Sequence, residues 1–243
     1  MKIYKIFCII ASLIIIAGCD MFKIDNYEQP NASLQGGIKD AVTGALVGTD
    51  IQNGSQIRAQ ELGYPDGALT WRVKQTGEYQ NDMVFAGSYK LEFLDCNFFP
   101  FTVDEFVIKK GKNTQDFQVT PYIRIRDESI TRQGNQIVAT FKLQAGNPAE
   151  VRLSAVRLFA FSDMYVGEMV KYSITGPAYQ TFSPAIIIDE TTTYTLTIDI
   201  PSNTNEFFKY TNKNYYFRIG ALAVVSDVGT VRHNYSPLVV IKF

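Results

Sequence analysis

The sequence predicts an all-β protein: two tandem antiparallel β-sandwiches behind an export signal. Three observations predict the fold. From Ser33 onward apolar residues alternate at period two along most of the chain, the spacing that turns one face of a strand inward. Gly, Asp and Asn interrupt these stretches at short intervals, as turns between strands require. No stretch holds a helical period. Hydrophobic residues make up 46% of the chain and charged residues 19%, enough apolar material to fold around a core.

The first nineteen residues read as a signal. Lys2 and Lys5 give a positive start, and Ile6 to Ala17 is apolar apart from Ser12. That run has the length of a signal-peptide core and is short for a membrane span. It ends in Ile16-Ala17-Gly18-Cys19, small residues before a cysteine, which fits lipoprotein processing with Cys19 as the acylated residue. One acyl chain binds a membrane weakly, whereas the two or three on a lipoprotein cysteine hold it there. No other run is long and apolar enough to cross a bilayer. Residues 20–31 read as a tether, since Met21 to Pro30 has no periodicity and is expected to be extended.

Residues 32–120 read as the first sandwich. Ser33–Lys39 is a strand ending at the turn Asp40-Ala41-Val42-Thr43-Gly44. Ser55–Gln60 places Ile57 and Ala59 on one face, and Thr70–Lys74 places Trp71 and Val73 inward. Gly77 begins a turn into Glu78–Asn81. Val84–Leu94 reads as one long strand holding Gly87 and Tyr89. Phe101–Lys109 follows, and Lys110-Gly111-Lys112-Asn113 reads as a tight turn into Thr114–Thr120. Pro121 marks the boundary, because proline cannot donate in a central ladder.

Residues 121–243 repeat the theme with longer strands. Tyr122–Asp127 leads in, and Gln136–Leu143 alternates as Ile137, Ala139, Phe141 and Leu143. Val151–Phe161, Thr191–Ile200, Tyr215–Val225 and Tyr235–Ile241 complete the set, with one helical turn at most around Glu206-Phe207-Phe208. This strand count over this length suits an immunoglobulin or fibronectin type III sandwich.

Specific segments resemble known families. Leu34-Gln35-Gly36-Gly37-Ile38-Lys39-Asp40, followed by Thr43-Gly44-Ala45-Leu46-Val47, resembles the opening of the transthyretin-like, carboxypeptidase-regulatory-like fold. Phe85-Ala86-Gly87-Ser88-Tyr89-Lys90-Leu91 resembles its Gly-x-Tyr strand, and Tyr215-Tyr216-Phe217-Arg218-Ile219-Gly220-Ala221 resembles a late fibronectin-type strand. Lipobox, tether, transthyretin-like domain and immunoglobulin-like domain in this order resemble the Bacteroidetes lipoproteins of domain of unknown function family 3823. The resemblance covers nearly the whole chain and supplies no catalytic residues. It implies an outer-membrane lipoprotein facing the cell exterior, beside SusC/SusD-type uptake proteins, as an accessory of glycan capture.

The residues themselves offer little chemistry. A net charge of −1 with no basic patch argues against nucleic acid. One histidine, His233, and one cysteine left after processing, Cys96, make a metal centre or cofactor unexpected. Cys96 closes an apolar strand and reads as core. The carboxylate pairs Asp104-Glu105, Asp127-Glu128 and Asp189-Glu190 read as solvated, and no Gly-x-Ser-x-Gly elbow is present, so no enzyme is expected. Binding on aromatic platforms remains. Most of the 14 Tyr and 17 Phe occupy inward positions. Tyr64, Tyr165 and Tyr179 fall in loops and are the candidate ligand-binding residues. The alternative is a structural spacer or interaction subunit of a surface assembly, which would use an exposed sheet edge.

Overall fold

The computed structural model describes residues 28–64, 67–174, 176–204 and 208–243. The signal, Cys19, most of the tether and the Glu206-Phe207 segment lie outside them. The fold is all-β. Strands β1 (Ala32–Asp40), β2 (Gln56–Glu61), β3 (Leu69–Arg72), β4 (Glu78–Val84), β5 (Gly87–Leu94), β6 (Phe101–Ile108), β7 (Gly111–Thr114) and β8 (Phe117–Val119) build the N-terminal unit. One sheet runs β3-β2-β5-β6 and the other β4-β1-β7, with β8 also on β1. Alternation turns Ile57, Ala59, Leu91 and Phe93 toward Leu34 and Ile38, all in one core cluster. Phe93 anchors it, stacked on Phe101 at 4.2 Å and edge-on to Phe117 at 4.8 Å, arrangements that add to the area buried.

The C-terminal unit comprises β9 (Ile123–Gln133), β10 (Gln136–Ala145), β11 (Arg152–Phe161), β12 (Tyr179–Ile186), β13 (Tyr194–Asp199), the single turn α1 (Ile200–Asn203), β14 (Asn214–Val224), β15 (Asn234–Tyr235) and β16 (Val239–Lys242). The sheet β13-β10-β9 faces the sheet β12-β11-β14, which β15 and β16 extend from β14. Ile137, Ala139, Phe141 and Leu143 of β10 are fully buried, as their alternation requires. Each fully buried large apolar side chain contributes about 1.5–3 kcal/mol.

Several strands depart from the sequence reading, each for a local reason. Val84–Leu94 is not one strand. The chain leaves one sheet after Val84 and joins the other at Gly87, and the Ala86 N–H donates to Asn31 Oδ1 at 2.8 Å. Lys110–Asn113 is not a tight turn, since Gly111–Asn113 already belong to β7. Gly111, with φ of 84°, starts a crossover, and β7 and β8 pair parallel with β1. The edge of β1 not used by β4 thereby finds backbone partners. Thr191–Ile200 starts later, because Asp189 accepts from the Thr191 N–H at 2.9 Å and holds that segment in a turn. Tyr235–Ile241 is split at Ser236-Pro237-Leu238. There the Ser236 N–H donates to Ile219 O and its Oγ accepts from the Ile219 N–H. Strand β12 contains Pro184, a residue that reads as a breaker, and is tolerated because β12 is an edge strand on β11 alone.

The two units meet through buried polar contacts. Arg124 donates to Asp40 through Nε at 2.6 Å and Nη2 at 2.7 Å, and the two side chains are only 9% and 5% exposed. Burial alone would raise the Asp40 carboxyl. The Arg124 hydrogen bonds, the Val42 amide, the Arg124 charge and the Thr43 hydroxyl together outweigh this and hold it below its ordinary 3.8. Beside this pair, Asn97 Nδ2 donates to Gly48 O at 2.8 Å and His233 O at 3.1 Å, while Asn234 Nδ2 donates to Asn97 O at 2.8 Å.

Candidate ligand-binding cleft between the domains

The long connection from β1 to β2 brings Asp50, Gln52 and Asn53 against the C-terminal unit. There they wall a cleft of about 310 Å³ with Tyr179, His233 and Tyr235 opposite. Each wall has a distinct origin. Tyr179 opens β12, next to β11, and Arg157 of β11 lies over its ring at 4.5 Å. This cation–π contact fixes the ring at the rim, 40% exposed. Tyr235 sits on β15, opposite Gly220 of β14. A Cβ on Gly220 would lie 2.3 Å from the Phe159 ring, so glycine lets the Phe159 and Tyr235 rings approach to 5.7 Å.

The floor is charged and ordered. The Tyr235 hydroxyl donates to Asp50 Oδ2, and the Glu168 N–H donates to the same oxygen at 2.9 Å. Burial, reinforced by the Asp50 carboxylate, raises Tyr235 well above its usual value, so the phenol stays protonated as a donor. Asp50 Oδ1 is buried without a hydrogen-bond partner among the described residues, and a Cβ on Gly167 would lie 2.3 Å from it. Arg218 lies over the Tyr235 ring at 4.2 Å and donates to Ser236 O and Thr49 O. Burial lowers Arg218 to about 10, so it remains a cation at neutral pH. His233 packs edge-on to Phe159 at 5.6 Å. Burial lowers its pKa, which keeps the imidazole neutral at pH 7.

Such a cleft can offer an aromatic face at Tyr179, an imidazole, and the amides of Gln52 and Asn53. Apolar ring faces can stack on the first, and hydroxyls can hydrogen-bond to the rest. Each of its carboxylates has an internal partner: Asp50 Oδ2 accepts from Tyr235 and the Glu168 amide, and the Glu168 side chain pairs with Lys171 at 2.8 Å. The three carboxylate pairs noted in the sequence lie elsewhere. Asp104, Glu105, Asp127 and Glu128 are exposed on β6 and β9, and Asp189 caps its own turn. Among the described residues no group of three or more His, Cys, Asp or Glu converges as a metal site would. Cys96 is buried, its Sγ donates to Leu94 O, and burial pushes its thiol up to about 11.

The three candidate tyrosines are not brought together. Tyr179 borders the cleft. Tyr165 is exposed in the loop after β11, next to Met164, whose carbonyl accepts from Gln75 Nε2 at 2.9 Å. Tyr64 is exposed in the β2–β3 loop, at the far end of the N-terminal unit from the cleft. Sequence reasoning missed Asp50, Arg157 and Tyr235. Tyr235 looked like a strand residue, and nothing local marks Asp50 as the partner of a side chain 185 positions away.

Related proteins share the fold. The family described as "Protein of unknown function (DUF3823) N-terminal domain" matches residues 32–120, and "Domain of unknown function (DUF3823_C)" matches residues 123–240. A solved structure from Bacteroides uniformis, described as a "putative carbohydrate binding protein", is 51% identical. The match covers 88% of this chain and 100% of that one, with a TM-score of 0.84. DUF3823 proteins from Bacteroides ovatus and Parabacteroides merdae are 23% and 21% identical. They cover 87% and 88% of this chain, and 98% and 100% of their own, with TM-scores of 0.69 and 0.67. No curated protein matches the chain. None of these relatives is described as an enzyme. With both domain families matched in order along the chain, the protein belongs to the DUF3823 family.

Proposed function

We propose that this chain is a non-enzymatic lipoprotein of the outer membrane that binds carbohydrate in the interdomain cleft, as an accessory of polysaccharide capture beside SusC/SusD-type uptake proteins. One observation carries the binding reading. The Tyr179 ring, held by Arg157, lines a cleft of about 310 Å³ together with the Gln52 and Asn53 amides of the other domain, a pairing of aromatic platform and hydrogen-bonding groups that suits a sugar ring. The 51% identical relative described as a carbohydrate binder supports it. The export signal ending at Cys19 supports the location.

A glycan array probed with the full chain tests the binding. Tyr179→Ala is expected to lose most of the signal, while Tyr64→Ala, far from the cleft, keeps it. Binding that survives Tyr179→Ala would move the site elsewhere, and an array with no signal would remove carbohydrate from the proposal. Cys19→Ser tests the location, because membrane partitioning should be lost. A second reading, a rigid spacer in a surface assembly, is favoured by the buried Arg124–Asp40 pair locking one domain to the other, and a silent array would leave it standing.

A further inference from the structure

The end of the N-terminal unit remote from the cleft carries an exposed apolar group. Leu62, Tyr64, Leu69, Met83, Phe85 and Val107 are each at least 40% exposed. They converge by strand register. The Leu62 N–H donates to Ser88 O, and Ser88 pairs with Val107. This places Leu62 and Val107 at one end of the β2-β5-β6 ladder. Met83 and Phe85 flank the step from β4 to β5, beside Ala32, which pairs with Val84. Leu69 begins β3, paired with Ala59, and Tyr64 lies between β2 and β3 at the same end.

Two further features sit at this pole. Lys109 and Lys110 are exposed between β6 and β7 and Lys112 is exposed on β7, where the Gly111 N–H donates to Asn31 O. Asn31 is also where the chain enters the fold, one residue before β1. Cys19 is twelve residues upstream of Asn31, a stretch that reaches at most about 40 Å fully extended. The cleft lies at the opposite ends of the eight- and nine-residue strands β5 and β1, about 30 Å farther along. Among the described residues the acidic groups near the pole include Glu28, Glu61 beside Tyr89, and Asp82, which already accepts from Gln80.

We propose that this apolar, lysine-flanked pole is a membrane-contact surface that rests on anionic phospholipid and points the interdomain cleft away from the bilayer. The inference rests on acylation at Cys19. The occupant is lipid because the chain toward Cys19 leaves the fold at this pole, which is therefore the end nearest the acyl chains. Apolar side chains beside lysines match the boundary between acyl chains and anionic headgroups.

The test uses the full acylated chain reconstituted into vesicles of phosphatidylethanolamine and phosphatidylglycerol. A Val107→Cys variant carries an environment-sensitive thiol probe, with Val240→Cys on β16 as the control. Both positions are exposed, and buried Cys96 should not label. In vesicles the probe at position 107 should shift its emission to the blue and be quenched several-fold less by iodide than the same protein in detergent-free buffer after removal of lipid. The probe at position 240 should change in neither respect. A chain that floats with the vesicles while position 107 stays as accessible as position 240 would overturn the contact surface and leave the lipoprotein reading intact. A chain that does not float would overturn both.

Discussion

Removing the Asp40 charge should uncouple the two domains. In Asp40→Asn, Arg124 keeps its place, 9% exposed, but faces an amide instead of a carboxylate. Two charge-assisted hydrogen bonds of 2.6 and 2.7 Å are weakened or lost, each worth about 1.5–3 kcal/mol. The guanidinium left behind is buried and unpaired, and breaking such a pair costs about 3–5 kcal/mol in total. Replacing both partners, as in Asp40→Asn with Arg124→Leu, removes the stranded charge and should cost less than the two single losses added together. Urea unfolding followed by tryptophan fluorescence reads the N-terminal unit, because Trp71 is the only tryptophan and sits in that core. A midpoint for Asp40→Asn unchanged from the parent, or single and double variants additive within about 0.5 kcal/mol, would refute the reasoning. Acid titration supplies a second arm. The folded Asp40 carboxyl titrates below the ordinary 3.8, so the unfolded chain binds the proton first as pH falls. The stabilisation is therefore complete above the unfolded value and is lost as pH drops through the folded one. The stability gap between parent and Asp40→Asn should be flat near neutrality and should narrow only in acid.

Three other outcomes are expected. Gly220→Ala should destabilise by about 1–3 kcal/mol, since its Cβ would meet the Phe159 ring at 2.3 Å, and a lowered thermal midpoint would register it. Asn97→Asp should cost more than Asn97→Ala in the same melt, because a carboxylate would face the Gly48 and His233 carbonyls that the amide now serves as donor. Cys96 should resist thiol reagents at pH 8 and react promptly once denaturant is added, given its burial and a thiol pushed up to about 11. Rapid native labelling would contradict the packing around it.

Local pattern made much of the core legible. Ile57 with Ala59 on β2, Trp71 with Val73, and the four apolar residues of β10 point inward as alternation implies, because a strand's two faces are fixed by a period of two residues. The missed features involve a change of partner. The break at Phe85-Ala86 and the parallel strands β7 and β8 depend on which sheet the next residues join, and alternation carries no information about that. Pro184 is tolerated in β12 because that strand lies at an edge, which pairing and not neighbouring residues decides.

By itself the sequence determined the all-β class, the inward residues and the signal-like N-terminus, since each is written in neighbouring residues. Only tertiary structure decided the cleft. Asp50 with Tyr235, Arg124 with Asp40 and Asn97 with Asn234 are pairs separated by 185, 84 and 137 positions. Such pairings arise only when two independently patterned sandwiches dock and their buried polar groups must find partners across the joint.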